Sequence, residues 1–389
     1  MTENNNIPKN WQIKKLGEVC EIKNGKNQKM VTNPNGKYPI YGSAGIMGFA
    51  DEYLCEEGTT VIGRKGTINR PIYVNTKFWN VDTAFGFSPK KEFLDNKFLF
   101  FFCQSFNFHK LDKSTTIPSL AKSDLQKIDI ILPPFPEQLA IVAKIEELLS
   151  ELDNGKHQLL TAQQQLKVYR QSLLNLLANG KNLKTIDFVI EKLDQGWSPK
   201  CLNEYSKDEN EWAVIKTSAV QHGHFVAYEN KILPKDLKPR VQHELKAGDI
   251  LITRAGPRIR VGVCCLVRKT RHRLINCDKV YRIKVNTKII MPEYFELILN
   301  TPFYQREIEK MKSGISDSGL NLTQSKFLKI EIPIPSLEEQ QLIVSELESK
   351  LTICDKIEET ISQSLLQAET LRQSILKKAF EGRLVDFSN

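Results

Sequence analysis

No run of apolar residues in this chain reaches the roughly 18 that a membrane-spanning helix needs. The first ten residues, with Asn4-Asn5-Asn6, lack the apolar core of a secretion signal, so a soluble cytoplasmic protein is expected. The eight cysteines include no Cys-x-x-Cys pair, which points to reduced, buried thiols and away from disulfides or zinc. Cys264 and Cys265 are adjacent, so on a strand they would face opposite sides. The six histidines show no triad or metal spacing. His222 and His224 would share a strand face but have no third ligand nearby, so solvated side chains are expected. No Gly-x-x-x-x-Gly-Lys-Ser/Thr loop is present, and ATP hydrolysis by this chain is unsupported. Glu21-Ile22-Lys23 has the form of a nuclease Glu-x-Lys element without its upstream Pro-Asp partner. Leu132-Pro133-Pro134-Phe135 superficially has the form of an amino-methyltransferase loop. That loop needs an Asp, Asn or Ser to accept a hydrogen bond from the target amine, and Leu132 has no acceptor. It reads better as a helix-opening turn.

What the sequence does contain, it contains twice. Lys127-Ile128-Asp129-Ile130 returns as Lys329-Ile330-Glu331-Ile332. Glu137-Gln138 returns as Glu339-Gln340, and Arg170-Gln171-Ser172 as Arg372-Gln373-Ser374, all at one spacing. A fixed-spacing repeat means one structural unit built twice. At 389 residues the chain also exceeds one ordinary core.

The duplicated segments read as helices. Ile145, Leu152, Leu159, Leu166 and Leu173 recur every seven residues, with Val142 and Leu149 at the second seam position. Leu347, Cys354, Ile361, Ala368 and Ile375 do the same, with Val344, Leu351 and Leu365. This is a coiled-coil seam, and its two copies suit an antiparallel pairing with each other that brings the intervening blocks to opposite ends. At 1.5 Å per residue the rod is about 66 Å at most. The polar seam residues Lys156, Gln163, Arg170, Glu358 and Arg372 should fix register and partner. Prolines at 133–136 and 333–335 open the helices, and Gly180 and Gly382 suit their C-terminal caps. Asn154-Gly155 is expected to kink the first helix.

The blocks between the helices resemble each other more faintly. Gly58 to Gly66 matches Gly248 to Gly256, and Asn80-Val81-Asp82 matches Asn276-Cys277-Asp278 at a larger offset. The second block therefore carries extra loop residues. Alternating apolar runs at Thr60–Ile62, Ile250–Ile252, Val261–Val267 and Val280–Val285 read as strands. The fold expected is α/β (α+β): two similar mixed domains, at 1–133 and 183–333, and two long helices, within 134–182 and 334–389, with a pseudo-two-fold internal repeat.

The formal charge of +9 is unevenly placed. Residues 1–136 carry +5 and 183–331 carry +8, whereas 137–182 are neutral and 332–389 carry −4. Two basic modules suit a polyanion, and a protein with two-fold character suits duplex DNA. Gly63-Arg64-Lys65-Gly66 and Arg254-Ala255-Gly256-Pro257-Arg258-Ile259-Arg260 each put basic side chains among glycines after a strand. Glycine lets the backbone approach closely, and arginine pairs bidentately with guanine or phosphate. Arg64, Lys65, Arg70, Arg254, Arg258 and Arg260 are the main candidates for DNA contact. Lys216, Arg271 and Arg273 complete the set, the last two from a basic turn suited to phosphates or solvent.

Taken in order, these features resemble the specificity subunits of Type I restriction–modification systems, over nearly the whole length. The resemblance rests on Ile7-Pro8-Lys9-Asn10-Trp11 leading to Leu16-Gly17-Glu18-Val19, Tyr38-Pro39-Ile40-Tyr41-Gly42 and Gly248-Asp249-Ile250-Leu251. The proline-opened Glu-Gln helices and the closing Phe380-Glu381-Gly382-Arg383-Leu384 complete it. It implies that each domain reads half of a split DNA site, that the helices set the unread gap, and that two modification (methyltransferase) subunits dock on them. S-adenosylmethionine, and ATP with Mg, would belong to those and to restriction subunits, leaving this chain no cofactor and no chemistry of its own. A stand-alone sequence-specific DNA-binding regulator is the alternative, and a scaffold with no nucleic-acid role is a further one.

Overall fold

The computed structural model describes residue 8 and residues 10–177, 180–206 and 208–387. Ile7 and Lys9 of the opening motif lie outside that set. Two compact units emerge, one from residues 1–160 with 361–389 and one from 161–360. Each long helix therefore contributes part of its length to each unit, so this division cuts across the helices and not at their ends.

In the first unit a four-stranded antiparallel sheet runs in the order Cys20–Asn24, Ala84–Pro89, Thr59–Gly63, Ile72–Val74. Thr59–Gly63 is buried throughout, because the sheet is covered on both faces. Alternation sends Ile62 into one core with Ile22, Phe85 and Phe87, and Val61 into another with Val74 and Phe78. Helix Asn96–Ser105 packs on the first face through Phe98, Leu99 and Phe102. Its cap is Asp95, whose carboxylate accepts from the amides of Lys97 and Phe98 at 2.9 Å. A smaller sheet pairs Tyr38–Gly42 antiparallel with Gly45–Ala50 and parallel with Trp79–Asn80.

The second unit repeats this plan. Its sheet runs Ile190–Gln195, Val280–Val285, Ile250–Thr253, Cys264–Leu266. Its smaller sheet again centres on a strand, Ala213–Ile215, with one antiparallel partner, Asn230–Ile232, and one parallel, Leu274–Ile275. Cys264 and Cys265 enter the cores on opposite faces, as strand alternation requires. The additions are a hairpin (Val220–Gln221 with His224–Phe225) and helix Pro302–Met311 followed by strand Lys312–Ser313. The strand expected over Val261–Val267 is shorter, since Arg260–Gly262 turns back and only Cys264–Leu266 pairs.

The long helices are Phe135–Leu176 and Leu337–Phe380. The seam is buried at Val142, Ile145, Leu149 and Leu173 on one helix and at Val344, Leu347, Cys354, Ile361, Ala368 and Ile375 on the other. In the first unit Arg372 donates to both carboxylate oxygens of Asp153 at 2.9 Å, and Lys156 reaches Glu369 at 3.2 Å. Three residues forward on one helix is three back on the other, so the pairing is antiparallel. In the second unit Arg170 meets Asp355 at 2.5 Å and Glu358 at 3.5 Å. The charged seam residues Lys156, Arg170, Glu358 and Arg372 therefore make cross-helix ion pairs, which penalise any slip of register.

Each domain core is completed by the end of the helix that the other repeat begins. Ile375, Leu376, Ala379 and Phe380 enter the first core, and Leu173 and Leu177 the second. Gly382 ends the last helix at φ 71°, where a side chain would be strained and would collide with Pro8 at 2.8 Å. The cap expected at Gly180 adjoins residues 178–179, which are not described.

Asn154-Gly155 does not interrupt the first helix, which continues unbroken through it. A Cβ on Gly155 would meet nothing within 4 Å. Gly155→Ala should therefore stabilise the protein by about 1 kcal/mol, the helix-propensity difference, visible as a higher denaturant midpoint. An unchanged or lower midpoint would mean that the helix needs glycine here for another reason.

Candidate nucleic-acid interface

The two basic turns occupy equivalent places and are built from equivalent bonds. Beyond Thr59–Gly63, the Arg64 amide donates to Thr83 O at 2.8 Å and its carbonyl accepts from Leu120 N at 2.9 Å. Beyond Ile250–Thr253, the Arg254 amide donates to Lys279 O at 2.8 Å and its carbonyl accepts from Leu322 N at 2.7 Å. Each guanidinium lies 5.9 Å from an aromatic centroid, Phe85 or Tyr281. Each also donates to the carbonyl of the preceding loop: Arg64 Nη1 to Asp82 O at 3.4 Å, Arg254 Nε to Asp278 O at 2.7 Å. The loops are pinned by Asn80 and Asn276, both fully buried, which donate to Ala84 O and Val280 O. Two residues after each arginine stands a glycine at positive φ, Gly66 at 82° and Gly256 at 145°, so the turns depend on glycine for backbone reasons. A guanidinium has five donors, so one bond to a carbonyl orients the fork while leaving it able to bind a ligand.

The other candidates separate into distinct environments. Lys65 and Arg70 are exposed in the first unit. Arg258 is exposed but committed: it pairs with Glu309 and, at 2.9 Å, with Asp317, while its carbonyl accepts from Lys312 at 2.7 Å. It ties its turn to the added helix Pro302–Met311. Arg260 stands half-buried near Glu229. Lys216 lies 3.5 Å from the same Glu229. A Ser218 hydrogen bond, with Lys216 and Arg260 nearby, holds that carboxyl below its ordinary range.

Arg271 and Arg273 are engaged by backbone carbonyls of their own unit. Arg271 Nη1 donates to the carbonyls of Asp208 and Glu211 at 2.8 and 2.9 Å, and burial lowers its pKa. Arg273 adopts φ 58° and donates to Asn210 O. Together they staple the 208–211 segment, because carbonyls left unpaired in that turn need donors. Their neighbour Arg268 bonds the buried Glu296 at 2.6 Å. His222 lies in a turn, outside the strand, and its Nδ1 contacts Asn300 at 3.0 Å, so it is not simply solvated. Leu132 is buried in strand Asp129–Leu132, and Pro133 O accepts from Gln138, which makes this segment a helix-opening turn.

Lys216 belongs to a cleft beside Arg254 whose other lysines are not evident in the sequence. Lys200, Lys216, Lys231 and Lys279 line it, with Ser198 and Thr217, around a volume of about 470 Å³. These residues are spread over 80 positions, so no local charge run announces them.

Comparison with known proteins agrees with this architecture. Residues 8–162 and 196–367 match the Type I restriction modification DNA specificity domain, and the chain belongs to that family. It is 39% identical over 176 residues to the Type I restriction enzyme EcoEI specificity subunit of Escherichia coli, covering 45% of this chain and 30% of that one. It is 30% identical over 288 residues to the EcoKI specificity subunit of Escherichia coli strain K12, covering 70% of this chain and 61% of that protein. The matched regions thus span less than two thirds of these relatives. A solved chain from work on complex assembly and conformational transition of the type I R-M system superposes with TM-score 0.75 at 19% identity, over 97% of this chain and 99% of the other. That likeness shows the fold: two mixed domains and two long helices. Among the described residues, no helix is long and apolar enough to cross a membrane.

Proposed function

We propose that this chain is the DNA sequence-specificity subunit of a Type I restriction–modification complex. Each domain reads one half of a split site, and the paired helices set the unread spacer and dock two methyltransferase subunits. Restriction subunits join that core. The chemistry lies with those partners, which carry S-adenosylmethionine, ATP and Mg, and the complex works in the cytoplasm. The observation that carries this reading is the twice-built arginine turn. One scaffold presents a tethered guanidinium in each domain, while the loops around it differ, as two readers of different half-sites require. Register-locked helices suit a spacer, because a pair free to slip would not hold a constant gap. Family membership favours this reading over a stand-alone regulator.

Arg64→Ala and Arg254→Ala test it. Each should weaken discrimination by about 1–3 kcal/mol at one half-site and leave the other unchanged. Single-molecule methylation sequencing of a host carrying the subunit with its methyltransferase reads both halves at once. Unchanged modification at both halves would remove these arginines from the reader, and relaxation at both would contradict the modular assignment. Tight, specific DNA binding by this chain alone, with no methyltransferase co-purifying, would favour the regulator.

A further inference from the structure

We infer that the cleft lined by Lys200, Lys216, Lys231 and Lys279 is a phosphate track that seats the DNA backbone beside Arg254, and that only the second domain has it. This rests on the DNA-reading assignment above and adds to it which groups position the duplex and which read it.

The cleft is built from four segments of the second unit. Lys231 sits on strand Asn230–Ile232, opposite Val214 of Ala213–Ile215, and Lys216 follows that second strand directly. Lys200 comes from the segment after Ile190–Gln195, whose Ser198 hydroxyl bonds the Asp278 carboxylate. Lys279 comes from the loop that holds Arg254: the carbonyls of Asp278 and Lys279 accept from Arg254 Nε and N. The lysine cleft and the arginine turn therefore share one stretch of backbone, and a ligand seated by Lys279 lies next to the guanidinium.

Four lysines line this cleft and the lining contains no Asp or Glu, the nearest carboxylate at its edge being Asp278, held by the Ser198 hydroxyl. Lys216 has Glu229 at 3.5 Å, but among the described residues Lys200, Lys231 and Lys279 have no carboxylate within ion-pair reach. Like charges gathered around one cleft repel, and an anion relieves that repulsion. Some other cations of this unit are answered: Arg258 by Glu309 and Asp317, Arg268 by Glu296, Arg282 by Asp194. In the cleft three lining lysines have no carboxylate partner among the described residues. Lysine is a compact point charge on a flexible stem, suited to phosphate oxygens and poorly suited to the planar edge of a base. Arginine, oriented by a carbonyl and an aromatic ring, is suited to that edge. The division is then phosphates to the lysines and base edge to Arg254.

The first domain keeps Lys29 at the place of Lys200, since the amides of Lys26 and Trp197 bond the equivalent Asn80 O and Asn276 O, but lacks the other three lysines. Strand pairing places Gly42 where Lys216 stands, since Ile40 and Val214 are equivalent partners of Trp79 and Ile275. Thr83 stands where Lys279 stands, as the carbonyl that accepts from the arginine amide. The exposed groups on that smaller sheet are Ile46, Met47 and Phe49. The same scaffold thus offers apolar side chains in one domain and ammonium groups in the other.

The test uses the full chain with its methyltransferase and random-sequence double-stranded DNA, followed by fluorescence anisotropy across a salt series. Lys200→Gln, Lys231→Gln and Lys279→Gln combined should reduce the slope of log affinity against log salt by about 3, at roughly 0.9 for each phosphate no longer neutralised. The matching triple arginine variant should restore it, and methylation sequencing should report the same recognised bases for every variant. If the wild-type complex binds this DNA and the glutamine variant keeps the wild-type slope while folded by circular dichroism, the track is wrong and the reading stands. A changed recognition sequence in the glutamine variant would also overturn it, by making the lysines readers. If the wild-type complex shows no salt-dependent binding, the DNA-reading assignment itself falls.

Discussion

Phe380→Ala should destabilise the amino-terminal domain by about 3–5 kcal/mol, although residue 380 lies at the far end of the chain. The ring is only 9% exposed and packs edge-on against Phe98 at 5.1 Å and Phe102 at 5.7 Å between centroids. Both partners belong to helix Asn96–Ser105, which covers the sheet of the first unit. Removing the ring deletes its burial, leaves a cavity that the surrounding Leu376, Ala379 and Ile145 cannot fill, and forfeits two aromatic pairs. Hydrogen exchange is the discriminating measurement. Protection should fall in Asn96–Ser105 and the sheet beneath it, while strands Ile250–Thr253 and Val280–Val285 keep theirs. Equal loss in both units would mean that they unfold as one, and no loss in Asn96–Ser105 would mean that the terminal helix is not part of that core.

The helices were legible because their signal is periodic and local. Seven-residue spacing, bounding prolines and duplicated ends placed both, and the polar seam residues announced a register-fixing role that the ion pairs of Arg372 and Arg170 fulfil. Repeats also placed the basic turns, because a strand ending in Gly-Arg or Thr-Arg is visible without knowing its neighbours. What failed was anything set by non-local partners. Gly155 looked like a break, yet the helix runs through it, because a propensity cost of about 1 kcal/mol is small beside a seam that buries Ile145, Leu149 and Leu173. Arg271 and Arg273 looked like free cations because the carbonyls they satisfy sit some 60 residues upstream. Of the lysine cleft only Lys216 was named, for the same reason, with one lysine drawn from each of several segments. Charge in a sequence shows what a surface can hold and not which charges are already answered.

Gln340→Leu should cost the second domain about 3 kcal/mol or more, and Gln138→Leu should do the same to the first. The Glu-Gln repeat is conspicuous in sequence, but only folding shows that each glutamine is fully buried. Gln340 Oε1 accepts from Met291 N at 2.8 Å, and its Nε2 donates to Ile289 O and Pro335 O at 2.9 Å. Gln138 Oε1 accepts from Asp95 N at 3.0 Å, and its Nε2 donates to Phe93 O and Pro133 O at 2.9 Å. One amide thus ties the first turn of a long helix to the start of the helix that covers the domain sheet, identically in both copies. Leucine fills much of the same space but strands one N–H and two carbonyls away from water, at about 1–3 kcal/mol each before the gain from its own burial. Gln340→Glu adds a sign that leucine lacks. A carboxylate there keeps the acceptor, loses both donors and faces two carbonyls, so its folded pKa lies above the unfolded value near 4.3. The folded state then holds the proton more tightly, and stability falls as pH rises from about 4.3 to the folded pKa. Denaturant titrations at acid and neutral pH should show Gln340→Glu closest to wild type in acid and worst at neutrality, with Gln340→Leu showing no such trend. Parallel curves for the two variants would show that the donated hydrogen bonds are not what anchors the helix.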